Sequence, residues 1–102
     1  MNGAAHKLVT NQALERASST IRALAHPLRL KLISFIDQNR KINVNKIYRT
    51  LKIEQSVVSQ HLRILREENL VLAERNGKFI YYSLNYPKIG HINDAIGKFL
   101  AN

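Results

Sequence analysis

The stretch Gln55-Ser56-Val57-Val58-Ser59-Gln60-His61-Leu62-Arg63-Ile64-Leu65-Arg66-Glu67-Glu68 decides the fold. Val58, Leu62 and Leu65 recur at i, i+4 and i+7, which marks the buried stripe of a helix. The opposite face carries Gln55, Ser56, Ser59, Gln60 and Arg63. These are short or forked hydrogen-bonding side chains, in place of the Glu/Lys mixture of a solvated surface. Groups of this kind reach base edges in a DNA major groove, where every base pair presents its own donors and acceptors. A polar surface helix without a partner has the same pattern, so the flanking segments must decide.

Working outward, Val44, Ile47, Tyr48 and Leu51 give a short helix over 44–51. Lys52-Ile53-Glu54 is a break of a few residues, the length of a helix-turn-helix connection. Two short helices joined this tightly set the second across the first, free to project into a groove. Before them, Asn39-Arg40-Lys41-Ile42-Asn43 is read as a polar link. A helix over 27–39 puts Leu28, Leu32, Ile33 and Ile36 inward and Arg29, Lys31 and Ser34 outward. His26-Pro27 separates it from a first helix over about 10–25, because the residue before proline avoids helical geometry and proline suits a helix start. His26 itself reads as a junction residue. On that first helix Leu14, Ala17, Ile21 and Leu24 form a seam too short for a free coiled coil. Residues 1–9 are expected to be a flexible leader to the single domain.

On the other side, Asn69 tolerates the left-handed conformation and ends the polar-faced helix. Two β-prone runs, 70–75 and 78–84, follow around Asn76-Gly77, a strong hairpin signal. A two-residue Asn76-Gly77 loop pairs Arg75 with Lys78, Ala73 with Ile80 and Val71 with Tyr82, leaving one apolar face. The tip, Arg75, Asn76, Gly77 and Lys78, suits contact with a phosphate or a minor groove. A last helix starts near Tyr86-Pro87 and carries Ile89, Ile92, Ile96, Phe99 and Leu100. That stripe and the first helix's seam give a candidate two-fold interface: Leu14, Ala17, Ile21, Ile89, Ile92, Ile96 and Phe99.

The expected architecture is mostly α with a β-hairpin wing, a winged helix-turn-helix in the order α-α-α-α-β-β-α. One domain of 102 residues buries a modest core and gains from dimerisation. The net charge of +9 points to an anionic partner, most often nucleic acid. Residues 29–52 hold seven of the sixteen cations (Arg29, Lys31, Arg40, Lys41, Lys46, Arg49 and Lys52) against one acid, Asp37. Lys46, Arg49 and Lys52, with the wing's Arg75, Asn76 and Lys78, are candidate backbone contacts; Gln55, Ser56, Ser59, Gln60 and Arg63 are candidate base contacts. The absence of cysteine removes disulfides, thiol switching and thiolate metal sites. No apolar run is long enough for a signal or a membrane span, so a cytoplasmic location is expected.

Ala23-Leu24-Ala25-His26-Pro27-Leu28-Arg29, residues 56–66 and Gly77-Lys78-Phe79-Ile80-Tyr81-Tyr82-Ser83-Leu84 resemble the ArsR/SmtB family of small bacterial repressors, over about residues 12–90. The resemblance implies a homodimer joined through its first and last helices and bound to an imperfect inverted repeat. It places Gln55, Ser56, Ser59 and Gln60 at positions of base contact. His61 falls in a family signature, with packing or helix support as open as base contact. Members that sense thiophilic metals carry Cys-Val-Cys-Asp where this chain has Asn43-Val44-Asn45-Lys46, a poor set for a soft metal. At the positions of the last-helix zinc ligands stand Tyr86, Lys88, Phe99 and Asn102. His91 and Asp94 lie three apart and could ligate, but no second histidine accompanies them. No metal or cofactor is therefore expected. The four histidines are scattered and no nucleophile–base pair or glycine-rich loop stands out, which argues against an enzyme. The reading is a sequence-specific repressor of double-stranded DNA; its signal stays open between a small-molecule effector at the dimer interface, a protein effector, an acid shift through His91 and none at all. A non-specific nucleoid-type binder and a protein-binding winged helix are the alternatives.

Overall fold

The computed structural model describes residues 3–101 of the backbone, and side-chain surroundings for residues 12, 15–94 and 97. Eight elements follow one another: α1 (Gly3–Leu24), α2 (Pro27–Asn39), β1 (Lys41–Asn43), α3 (Val44–Leu51), α4 (Gln55–Glu67), β2 (Val71–Asn76), β3 (Phe79–Leu84) and α5 (Tyr86–Ala101).

The α1–α2 junction follows from its sequence. His26 is extended (φ −128, ψ 122) ahead of Pro27, and its Nδ1 accepts the Leu28 N–H at 3.2 Å. It thus satisfies one of the orphan donors of the new helix. α1 begins at Gly3, before the expected start near residue 10. Ala4, Ala5, Lys7 and Leu8 are helix-compatible and no proline interrupts them.

A third strand is the main departure from the sequence reading. β1 lies in the segment read as a polar link and pairs antiparallel with β3, giving the order β1-β3-β2. Only Ile42 of its three residues is buried, so the segment has no alternation long enough to be recognised. Its pairing depends on β3, some forty residues away in the chain.

The hairpin register also differs. Arg75 pairs with Ile80, Ala73 with Tyr82 and Val71 with Leu84, and the loop is Gly77-Lys78 rather than Asn76-Gly77. Gly77 has φ +65 at the first loop position, the Gly-X pattern of a type II′ connection. The partner shift is two residues, an even number, so the same side chains stay inward. Val71 and Leu84 are buried, with Ala73 and Tyr82 partly so beside them.

One core joins all these elements. Leu32 and Ile36 of α2, Ile42 of β1, Ile47 of α3, Val58, Leu62 and Leu65 of α4, Leu70, Val71 and Leu84 form a single cluster with Ala23 of α1. Asn69 ends α4 in the left-handed region (φ 59), and the Leu70 N–H returns to the Leu65 carbonyl at 2.9 Å. Asn85 then ties the wing's exit to this corner: its N–H reaches the Leu70 carbonyl and its side-chain amide the Asn69 carbonyl. Its Oδ1 accepts the Lys88 N–H at the start of α5.

Candidate nucleic-acid interface

The two helices of the turn are held by their own caps. Asn43 Oδ1 accepts the Lys46 N–H at 2.9 Å and so begins α3. The amide standing where thiol-metal sensors have a ligand is therefore a helix cap here. Lys52 ends α3 in the left-handed region (φ 55), with its N–H and that of Ile53 both reaching the Tyr48 carbonyl. This folds the chain back within three residues, and Ile53 packs toward the core behind the turn.

α4 is two-sided. Val58, Leu62 and Leu65 are fully buried. Gln55, Ser56, Ser59, Gln60 and Arg63 are all exposed. The periodicity of the sequence therefore places its polar row outward, with no other part of the described chain lying over it. Among the described residues no side chain caps the start of α4. Its first N–H groups, at the positive end of the helix dipole, stay open to an anion.

Of the backbone candidates, Lys46, Arg49 and Lys52 are exposed on α3 and the turn, and Arg75, Asn76 and Lys78 are exposed at the wing tip. Three other cations of the basic segment already have partners within the chain, Arg29 part-buried and Arg40 and Lys41 at the surface. Arg29, expected on the outer side of α2, donates through Nη1 to the Ala23 carbonyl at 3.1 Å and through Nε to His61 Nδ1 at 3.2 Å. Arg40 lies over the Tyr86 ring and donates to its hydroxyl, which itself donates to Asp37 Oδ1 at 2.7 Å. The bond to Asp37 raises the Tyr86 pKa above its ordinary value. Lys41 pairs with Glu74 across the sheet at 2.8 Å and sits beside the Tyr81 ring. That bond holds the Glu74 carboxyl below its usual range.

His61 is half-buried, its ring 4.6 Å from that of His26 and its Nδ1 occupied by Arg29. Among the two roles open to it, packing matches this geometry. Burial, His26 and Arg29 together keep its pKa below the ordinary imidazole value.

The candidate interface residues divide. Ala17 and Ile21 of α1 are exposed, Ile21 by 48%. Ile89 and Ile92 are half-buried and pack in part against their own core. Leu14, Ile96 and Phe99 lie outside the residues whose side chains are described. Ala17, Ile21 and Ile92 line a shallow groove between α1 and α5, with Arg16, Lys88 and His91 around it. Among the described residues no three His, Asp or Glu side chains cluster as metal ligands, and no helix is long and apolar enough to cross a membrane.

A turn-joined helix pair with an outward polar face, followed by a cationic hairpin, defines a winged helix-turn-helix. Residues 26–72 match the model of the bacterial regulatory proteins of the arsR family. The chain is 38% identical over 84 residues to the transcriptional repressor PagR of Bacillus anthracis, covering 82% of this chain and 83% of that one. The crystal structure of PagR superposes with a TM-score of 0.69 over 81% of this chain and 95% of the other. The regulator NmtR of Mycobacterium tuberculosis is 36% identical over 82% of this chain and 69% of its own. NolR of Sinorhizobium fredii, 27% identical, gives a TM-score of 0.72 over 97% of this chain and 93% of the other. The chain belongs to the ArsR family, a family of DNA-binding transcriptional regulators and not of enzymes.

Proposed function

We propose that the protein is a repressor that binds an inverted-repeat operator as a homodimer. One observation carries this reading: all five polar residues of the α4 face are exposed, while the apolar residues behind them are fully buried. Gln55, Ser56, Ser59, Gln60 and Arg63 read base edges in the major groove. Lys46, Arg49 and Lys52, with Arg75, Asn76 and Lys78 of the wing, hold the phosphates and fix the register. α1 and α5 make the two-fold contact, supported by the exposure of Ala17 and Ile21 beside Ile92, while the similarity to PagR, itself a transcriptional repressor, supports the repressing sign. Two half-sites then lie about 34 Å apart on one face of the duplex.

Selection of bound duplexes from random DNA tests this directly. A recovered palindrome with half-sites one helical turn apart is the expected result. Recovery of unrelated sequences at equal affinity would contradict it and favour a non-specific binder.

A further inference from the structure

α1 and α4 are joined by directed polar contacts at two levels. At the end of α4, Glu68 Oε2 accepts from the Ser19 hydroxyl at 2.8 Å, and Oε1 lies 3.1 Å from the Thr20 hydroxyl, which shares its one proton with the Arg16 carbonyl at 3.0 Å. Two turns earlier His61 accepts from Arg29, whose guanidinium also holds the last carbonyls of α1 at Ala23 and, more loosely, Arg22. Thr20 is 6% exposed and Glu68 half-buried, so water competes poorly for these bonds. An ionised acceptor strengthens them further.

None of this is required to make α4 a helix. Its C-terminus closes on backbone bonds, Glu68 N–H to the Ile64 carbonyl and Leu70 N–H to the Leu65 carbonyl. Its buried stripe docks it on the core. Apolar packing is non-directional, whereas a carboxylate held by the Ser19 hydroxyl and set against the shared hydroxyl of Thr20 fixes rotation and slide. Thr20 also lines the groove between α1 and α5, next to Ala17, Ile21 and Ile92. One residue thus touches both the dimer face and the end of the reading helix.

We infer that Glu68 is a positioning residue for DNA recognition: through Ser19 and Thr20 it locks α4 to α1, and so fixes the separation of the two reading helices across the dimer. This rests on the homodimeric reading above. The consequence is selectivity for half-site spacing, a property separate from the reading of each half-site. Neither partner of the lock belongs to the base-reading face.

The test uses the full-length dimer and three duplexes: the selected operator and versions with the half-sites one base pair closer or farther. Wild type prefers the native spacing. Glu68→Ala is expected to cut that preference roughly tenfold or more, the worth of a charge-assisted hydrogen bond. Its affinity for an isolated half-site stays unchanged. Glu68→Gln, which keeps an acceptor oxygen, restores most of the preference, and Ser19→Ala with Thr20→Val reproduces the loss from the other side. A folded Glu68→Ala dimer with intact spacing preference overturns the proposal, as does the same result for the Ser19/Thr20 pair should Glu68→Ala not fold. If wild type itself shows no spacing preference, the homodimeric operator reading fails, and this inference with it.

Discussion

Arg29 Nε lies 3.2 Å from Nδ1 of His61, so the imidazole nitrogen facing the guanidinium is the one without a proton. Protonating it would set a donor against a donor, beside a second histidine ring. The folded-state pKa is lowered from its ordinary value of 6.5. The unfolded chain then takes up the proton first, so this contribution to stability is complete above that value and is lost as pH falls below it. Thermal unfolding in matched buffers should give a lower Tm at pH 5.5 than at pH 7.5. His61→Asn, which offers an oxygen to Arg29 and does not titrate, should flatten that slope.

The two faces of α4 should separate in mutation. Leu62 is fully buried, so Leu62→Ala removes core contacts and should cost about 2–5 kcal/mol by denaturant unfolding. Arg63 is exposed one residue away. Arg63→Ala should leave stability within about 0.5 kcal/mol. It should instead weaken operator binding by about 1–3 kcal/mol per half-site. A large stability loss at Arg63 would mean the face is structural.

Lys46 is exposed at the start of α3, ahead of the turn. Lys46→Ala should weaken binding to operator and random DNA alike and reduce the slope of log affinity against log salt by about one. An operator-specific loss would make it a base-reading residue.

Gly77 has φ +65, and a methyl group built on it meets nothing within 4 Å. The cost of Gly77→Ala is therefore purely conformational, about 1–2 kcal/mol. A greater loss in denaturant unfolding would point to a contact at the wing tip. Ile21, about half exposed, gives the complementary test at the other end of the molecule. Ile21→Asp should leave the fold intact and shift sedimentation toward the monomer, with operator affinity falling in parallel.

What the sequence made legible is the part governed by local rules. The stripe of α4, the His26-Pro27 junction and the left-handed Asn69 each depend on neighbours within a turn. β1 was illegible because one buried residue, Ile42, carries it and its partner strand is distant. The hairpin loop lies one residue later than Asn76-Gly77 suggests, because Asn76-Gly77 satisfies one turn rule and Gly77-Lys78 another; pairing out to Asn76↔Phe79 favours the second. The roles of Arg29 and Glu68 are illegible in the sequence for a different reason. Periodicity assigns a face, but their long side chains act across 32 to 49 residues of sequence, on His61, Thr20 and Ser19.

The central claim is that the polar face of α4 reads bases. The most direct measurement compares wild type with Ser59→Ala/Gln60→Ala on operator and on random DNA, after helicity and dimerisation are shown unchanged. The account predicts an operator affinity lower by roughly 100-fold or more, with random-DNA affinity nearly unaltered. Equal losses on both would contradict it.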